Sequence, residues 1–196
     1  MNPSELDAVL QRATVPEHSV LFMQSMSGGK PFVIGSYLFF AAEDWLIGIG
    51  YPLSGETGGK EFDQALEEAV SISRARTCWA IAPTLPDRLK PYSRDRDHYY
   101  VLSADAKAPK RLERLAEKAS GLLRVEEGTT FTAAHRHLWA EFMARVALPP
   151  NVRELFAKTE AVLEKAPGLL LLNAWDAQGH LAACLLLDTA PRAFLT

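Results

Sequence analysis

Two apolar runs, Leu169 to Trp175 and His180 to Leu187, flank the four residues Asp176-Ala177-Gln178-Gly179. Glycine at the end of such a short polar link supplies a positive φ, so the spacing predicts a tight β-hairpin. Both strands are apolar at nearly every position, which is the pattern of strands covered on two faces. A chain built around such a hairpin needs helices to cover it, so the expected fold class is α/β.

The residues before the hairpin supply those helices. Leu122 to Val125 reads as a short strand, and His135, Leu138, Trp139, Phe142, Met143 and Val146 fall on one face of a following helix. Pro149-Pro150 stops that helix, and Asn151 with Glu154 predicts the cap of another, burying Val152, Leu155, Phe156, Val162 and Leu163. The order is β-α-α-β-β. Trp139, Phe142, Leu155 and Phe156 are the expected packing partners of the hairpin.

In the first half, Ser4 and Asp7 suggest a capping box and a helix over 5–13. Val20 to Gln24, Gly35 to Ala42 and Trp45 to Tyr51 read as strands, with Ser25–Lys30 a flexible turn. The glycine-rich stretch Ser54–Lys60 leads into a helix whose apolar stripe is Phe62, Ala65, Leu66, Ala69 and Val70. Cys78 to Ala82 follows as a buried strand. Pro83, Pro86 and Pro91 interrupt regular structure until a short strand at Tyr99 to Ser103. Between the halves, 107–121 predicts a helix with Leu112, Leu115, Ala116 and Ala119 as its buried stripe, and Lys110, Arg114 and Lys118 along another face. The expected organisation is a first unit over 1–106, a connecting helix over 107–121 and a second unit over 122–196.

Composition excludes some classes of function. A net charge of −3 and a pI near 6.0 give no general attraction to DNA or anionic membrane. No apolar run approaches the ~20 residues of a transmembrane helix, and the acidic N-terminal stretch lacks the order of a signal peptide. Cys78 and Cys184 lie far apart within apolar runs, which reads as two buried, reduced thiols and a cytoplasmic protein.

The β-α-α-β-β order with its 176–179 turn resembles the opening of a GNAT acyltransferase fold, and Val20 to Ala82 resembles the later part of the same fold. Two such units joined by a basic helix look like the FemAB-type and phosphatidylglycerol-lysyltransferase-type double-GNAT proteins. IGYPLSGETGGKEFDQALEEA (49–69) is similar to the segment those proteins place between a central strand and the following helix. PKRLERLAEKASGLLRV (109–125) is similar to their basic connector. The resemblance implies a GNAT-like mixed sheet flanked by helices, in two partial units. It also implies acyl or aminoacyl transfer to an amine, from acetyl-CoA, another acyl-CoA or a charged tRNA, on a small-molecule or aminoacyl substrate.

There are departures from that pattern. In such enzymes an Arg/Gln-x-x-Gly-x-Gly/Ala loop after the fourth strand holds the pyrophosphate of acyl-CoA at a helix N-terminus. The second unit reaches Arg192-Ala193-Phe194-Leu195-Thr196 about where that strand would run, so the resemblance is to a truncated or degenerate double unit. A non-catalytic interaction or regulatory module of the same fold, and a fragment of a longer enzyme, are the other readings. Homo-oligomer formation stays open.

Among local candidates, Gly55, Gly58, Gly59 and Lys60 precede a helix, where bare backbone, a cation and a helix dipole favour a phosphate-bearing ligand. The stretch is not a Walker A loop, since Ser54 and Glu61 stand where glycine and Ser/Thr belong. The other reading of it is a plain strand-to-helix connection. His135 and His137, two apart on a helix, point away from each other and predict no metal site; His135 reads as a hydrogen-bonded core residue. Asp95-Arg96-Asp97-His98-Tyr99-Tyr100 gathers titratable groups, but neighbours on a strand alternate in direction, so a structural turn is the better reading. No catalytic residue is nominated.

Overall fold

Asn2 caps the first helix, α1 (Pro3–Gln11): its side chain accepts from the Glu5 N–H while Glu5 reaches back to the Asn2 N–H. This capping box lies two residues before the Ser4–Asp7 pair expected from sequence. The computed structural model describes residues 1–101, 103, 105–166, 168–189 and 194–195, in two units, the first Met1–Asp97 with Thr189 and Phe194, the second His98–Asp188 with Leu195. The boundary falls before the expected 106, and the basic helix belongs to the second unit.

In the first unit, α1 is followed by a 3₁₀ turn (Pro16–His18) and a second helix, α2 (Val20–Ser27). The run Val20 to Gln24 is therefore helical, not a strand. Val20 and Met23, three apart, both reach the same core, and Gly28 ends the helix in the left-handed region (φ 77°). The predicted turn at Ser25–Lys30 gives way to the end of α2 and to the start of an unexpected strand, β1 (Lys30–Ile34). Next come β2 (Tyr37–Ala42), β3 (Trp45–Ile49), α3 (Gly59–Ser73) and β4 (Thr77–Ile81). The sheet runs β1-β2-β3-β4, antiparallel except that β3 and β4 are parallel across the α3 crossover.

This mixed sheet is covered on both sides. Leu38, Phe40 and Ile49 pack with Val9, Val15 and Val20 on one face. Tyr37, Phe39 and Leu46 pack under Phe62, Leu66 and Ala69 of α3 on the other. Gly50 marks a close approach of strand to chain: a Cβ there would strike the Ala82 Cβ and the Phe62 ring. β4 corrects an expectation, for it is a strand but not a buried one. As the last strand of the sheet it leaves Cys78 exposed and Trp79 66% exposed.

The second unit begins in residues without helix or strand. The expected strand at Tyr99–Ser103 is absent among the described residues, and Leu102 lies outside them. Then come α4 (Lys110–Ser120), β5 (Arg124–Gly128), α5 (Ala133–Arg145), α6 (Pro150–Ala157), α7 (Thr159–Lys165), β6 (Leu169–Trp175), β7 (Leu181–Asp188) and a two-residue β8 (Phe194–Leu195). Pro149, not Asn151, is the N-cap of α6, and the single helix expected after it breaks at Lys158 into α6 and α7. Strand order is β5-β6-β7-β8, with β5–β6 and β6–β7 antiparallel. The 176–179 turn forms as expected: Gly179 has φ 82°, and the Asp176 carboxylate accepts from the Gln178 and His180 N–H groups.

Among the described residues, cover on both faces of this hairpin is not found. Leu169, Leu171, Asn173 and Asp188 are buried on one face, while Ala183 and Leu185 on the other are exposed. The α4 stripe is likewise exposed, with no buried residue in the helix. No helix among the described residues is long and apolar enough to cross a membrane.

Candidate functional site

The segment from Tyr51 to Gly58 carries the chain from the end of β3 to the start of α3, and several bonds fix it. The Leu53 N–H donates to the Ser36 carbonyl at 2.7 Å, and the Ser36 and Ser54 hydroxyls lie 3.1 Å apart. Tyr37 Oη donates to the Gly58 carbonyl at 3.2 Å. Burial, together with the nearby Glu61 charge, holds the Tyr37 phenol above its ordinary pKa, against the opposing effect of that hydrogen bond. At the other end, His18 Nε2 donates to the Tyr51 carbonyl at 3.0 Å, and His18 Nδ1 accepts from the Thr14 N–H at 3.1 Å. Full burial pushes the His18 pKa down to about 4, so its imidazole is a neutral brace.

Within this frame Gly55 is exposed and left-handed, with φ 85°. Gly58 is the N-cap in an extended conformation, Gly59 is the first helical residue and Lys60 is exposed. The four expected site residues thus sit along one exposed loop and helix start. Glu61 occupies part of the space they would offer to a ligand: a Cβ on Gly58 would stand 2.0 Å from its Oε2. This carboxylate, at the third helical position, already complements the positive end of the α3 dipole. A cleft of about 380 Å³ lies nearby between α1 and β1, lined by Glu5, Arg12, Phe32, Ser36 and Leu53 among others.

The remaining candidates do not converge. Asp95 to Tyr100 is exposed and irregular, with Tyr100 94% exposed. His135 is buried, as expected: Nδ1 accepts from the Thr132 N–H and Nε2 donates to Asn173 Oδ1 at 2.9 Å. His137 is on the surface, 3.6 Å from Glu141. Among the described residues no three His, Cys, Asp or Glu side chains are grouped to hold a metal ion. Cys78 and Cys184 are both free.

The surface that sequence reasoning missed lies on the second unit. Residues paired across an antiparallel sheet share a face, so Val125, Leu170, Leu172, Ala174, Ala183, Leu185 and Leu187 lie together, with Glu127 beside them. Val125 is 64% and Leu185 43% exposed. The signal for it was the lack of alternation in both hairpin strands, which promised cover that the unit itself does not supply. Comparison with protein-family models, curated proteins and solved structures finds no match to this chain.

Proposed function

We propose that this chain is a protein-interaction module whose second unit supplies the contact surface. The reading rests on the apolar face of β5, β6 and β7, which leaves Val125 and Leu185 in water opposite the helix-covered face. Contiguous exposed apolar surface on a folded unit marks an association site. The test is binding of anilinonaphthalene sulfonate to the native chain at high dilution. Fluorescence should rise with the wild type and fall several-fold with Leu185→Glu at unchanged melting temperature. No enhancement from the dilute native wild type would rule the reading out.

A second reading is favoured by the loop Ser54–Lys60, where exposed Gly55, half-buried Gly58 and Gly59, exposed Lys60 and the start of α3 adjoin. There the chain would bind a CoA thioester or charged tRNA through its phosphates and pass the acyl or aminoacyl group to an amine. Backbone N–H groups would polarise the carbonyl under attack. Calorimetry with CoA is the check: Lys60→Ala should weaken binding by a few-fold to about tenfold, as for one charge-assisted contact. Absence of binding at near-millimolar CoA would remove this reading.

A further inference from the structure

The second unit carries two exposed apolar surfaces, one on a sheet and one on a helix. One is the open sheet face, apolar apart from Glu127. The other is α4, whose Leu112 and Leu115 are 54% and 53% exposed on a helix with no buried residue. An 11-residue helix is ~16 Å long, enough to cross three strands spaced ~4.8 Å apart. Charge agrees as well: α4 carries Lys110, Arg111, Arg114 and Lys118 against Glu113 and Glu117, a net positive helix with Arg111 and Lys118 along one edge of its stripe, while the sheet face carries Glu127.

The turn between α4 and β5 is fixed by backbone hydrogen bonds. The Gly121 N–H donates to the Glu117 carbonyl, and the Leu122 and Leu123 N–H groups both donate to the Ala119 carbonyl. This closed turn fixes how the chain leaves α4 for β5, and in that arrangement the stripe stays in water. A second copy of the chain offers the same sheet face with no such constraint.

We propose that two copies associate through their second units, α4 of each lying across the open sheet face of the other. The exchange is isologous and closes as a two-fold dimer. Two reciprocal helix-on-sheet contacts double the buried area toward the ~1,600 Å² of a standard interface. The proposal rests on the interaction reading above and names its partner.

The experiment is sedimentation velocity on the full chain, up to ~100 μM so that micromolar dissociation constants are seen. The wild type should dimerise, with anilinonaphthalene sulfonate fluorescence per chain falling as concentration rises and the face is covered. Leu112→Glu and Leu185→Glu should each raise the dissociation constant at least ~30-fold, as for loss of an interface anchor. Both side chains are exposed, so folding measured by circular dichroism should be unchanged. Mixing the two variants should restore association in part, because the intact helix of one meets the intact sheet of the other. A wild type that stays monomeric throughout overturns the proposal; if it still binds the dye when dilute, the interaction reading survives. A dimer that either variant leaves intact also overturns it.

Discussion

A Cβ on Gly128 would stand 2.8 Å from Nδ2 of Asn173, whose Oδ1 accepts from His135 Nε2 at 2.9 Å. The glycine on β5 thus leaves room for the amide that joins α5 to the middle of β6. Gly128→Ala should cost about 1–2 kcal/mol by overpacking. Combined with Asn173→Ala the two costs should not add, because the second change removes the group the new methyl strikes. Urea denaturation of the single and double variants measures this, and simple additivity would show that the amide can move aside freely.

Buried His18 sets a pH dependence. Its folded pKa of about 4 lies below the usual 6.5, so protonation favours the unfolded chain. Its full stabilisation is present above pH 6.5 and is lost as pH falls from 6.5 towards 4. The loss amounts to about 3 kcal/mol at the acid end, at 1.36 kcal/mol for each pH unit. His18→Gln should flatten that part of the curve of unfolding free energy against pH, and an unchanged slope would contradict the assignment.

Aromatic residues in the two units should differ in their contribution. Phe39 is fully buried between the rings of Phe32 and Phe62, at centroid distances of 5.5 and 6.4 Å. Phe142 is half-buried in a cluster with Trp139 and Phe156. Phe39→Ala should cost ~3–5 kcal/mol and Phe142→Ala clearly less, because less area leaves water on folding. Equal shifts in thermal unfolding would mean that the α5–α6 cluster is better covered than its exposure indicates.

Glu61 separates the two readings of the glycine loop. Glu61→Gln removes a negative charge from the first turn of α3, and should cost about 0.3–1 kcal/mol of stability. If the loop holds a phosphate group, the same change should tighten CoA binding several-fold in calorimetry. Loss of stability without any gain in CoA affinity would leave Glu61 as a partner of the α3 dipole alone.

Local periodicity carried much of the fold. The α3 stripe appears as read, with Phe62, Ala65, Leu66 and Ala69 buried, and β6 spans the residues expected of it. What failed was information that a strand or helix does not carry about its neighbours. Cys78 to Ala82 is apolar enough for a core strand, but its place at the end of the sheet leaves Trp79 in water. β1 was obscured by Pro31, which lacks an N–H and is tolerated because β1 is an edge strand. Val20 to Gln24 has the composition of a strand, and only the Gly28-Gly29 stop and the spacing of Val20 and Met23 argued for a helix. At the loop, the glycines and Lys60 were legible, while the Glu61 carboxylate lying against Gly58 depends on a side-chain rotamer. His18 went unremarked because its partner, the Tyr51 carbonyl, is remote in sequence.

The connectivity of the second sheet has a kinetic consequence. β6 and β7 meet across a five-residue link, whereas β5 reaches β6 only after α5, α6 and α7 have intervened. Closing the long segment costs chain entropy before any β5–β6 bond is made. The hairpin should therefore form first and β5 join late. On the native side β5 should be the first strand of the sheet to open, its amides from Arg124 to Gly128 exchanging with solvent faster than those of Leu169–Trp175. Because α4 is covalently continuous with β5, such an opening would release both together, and the unit's least durable strand would be the one tied to its exposed helix.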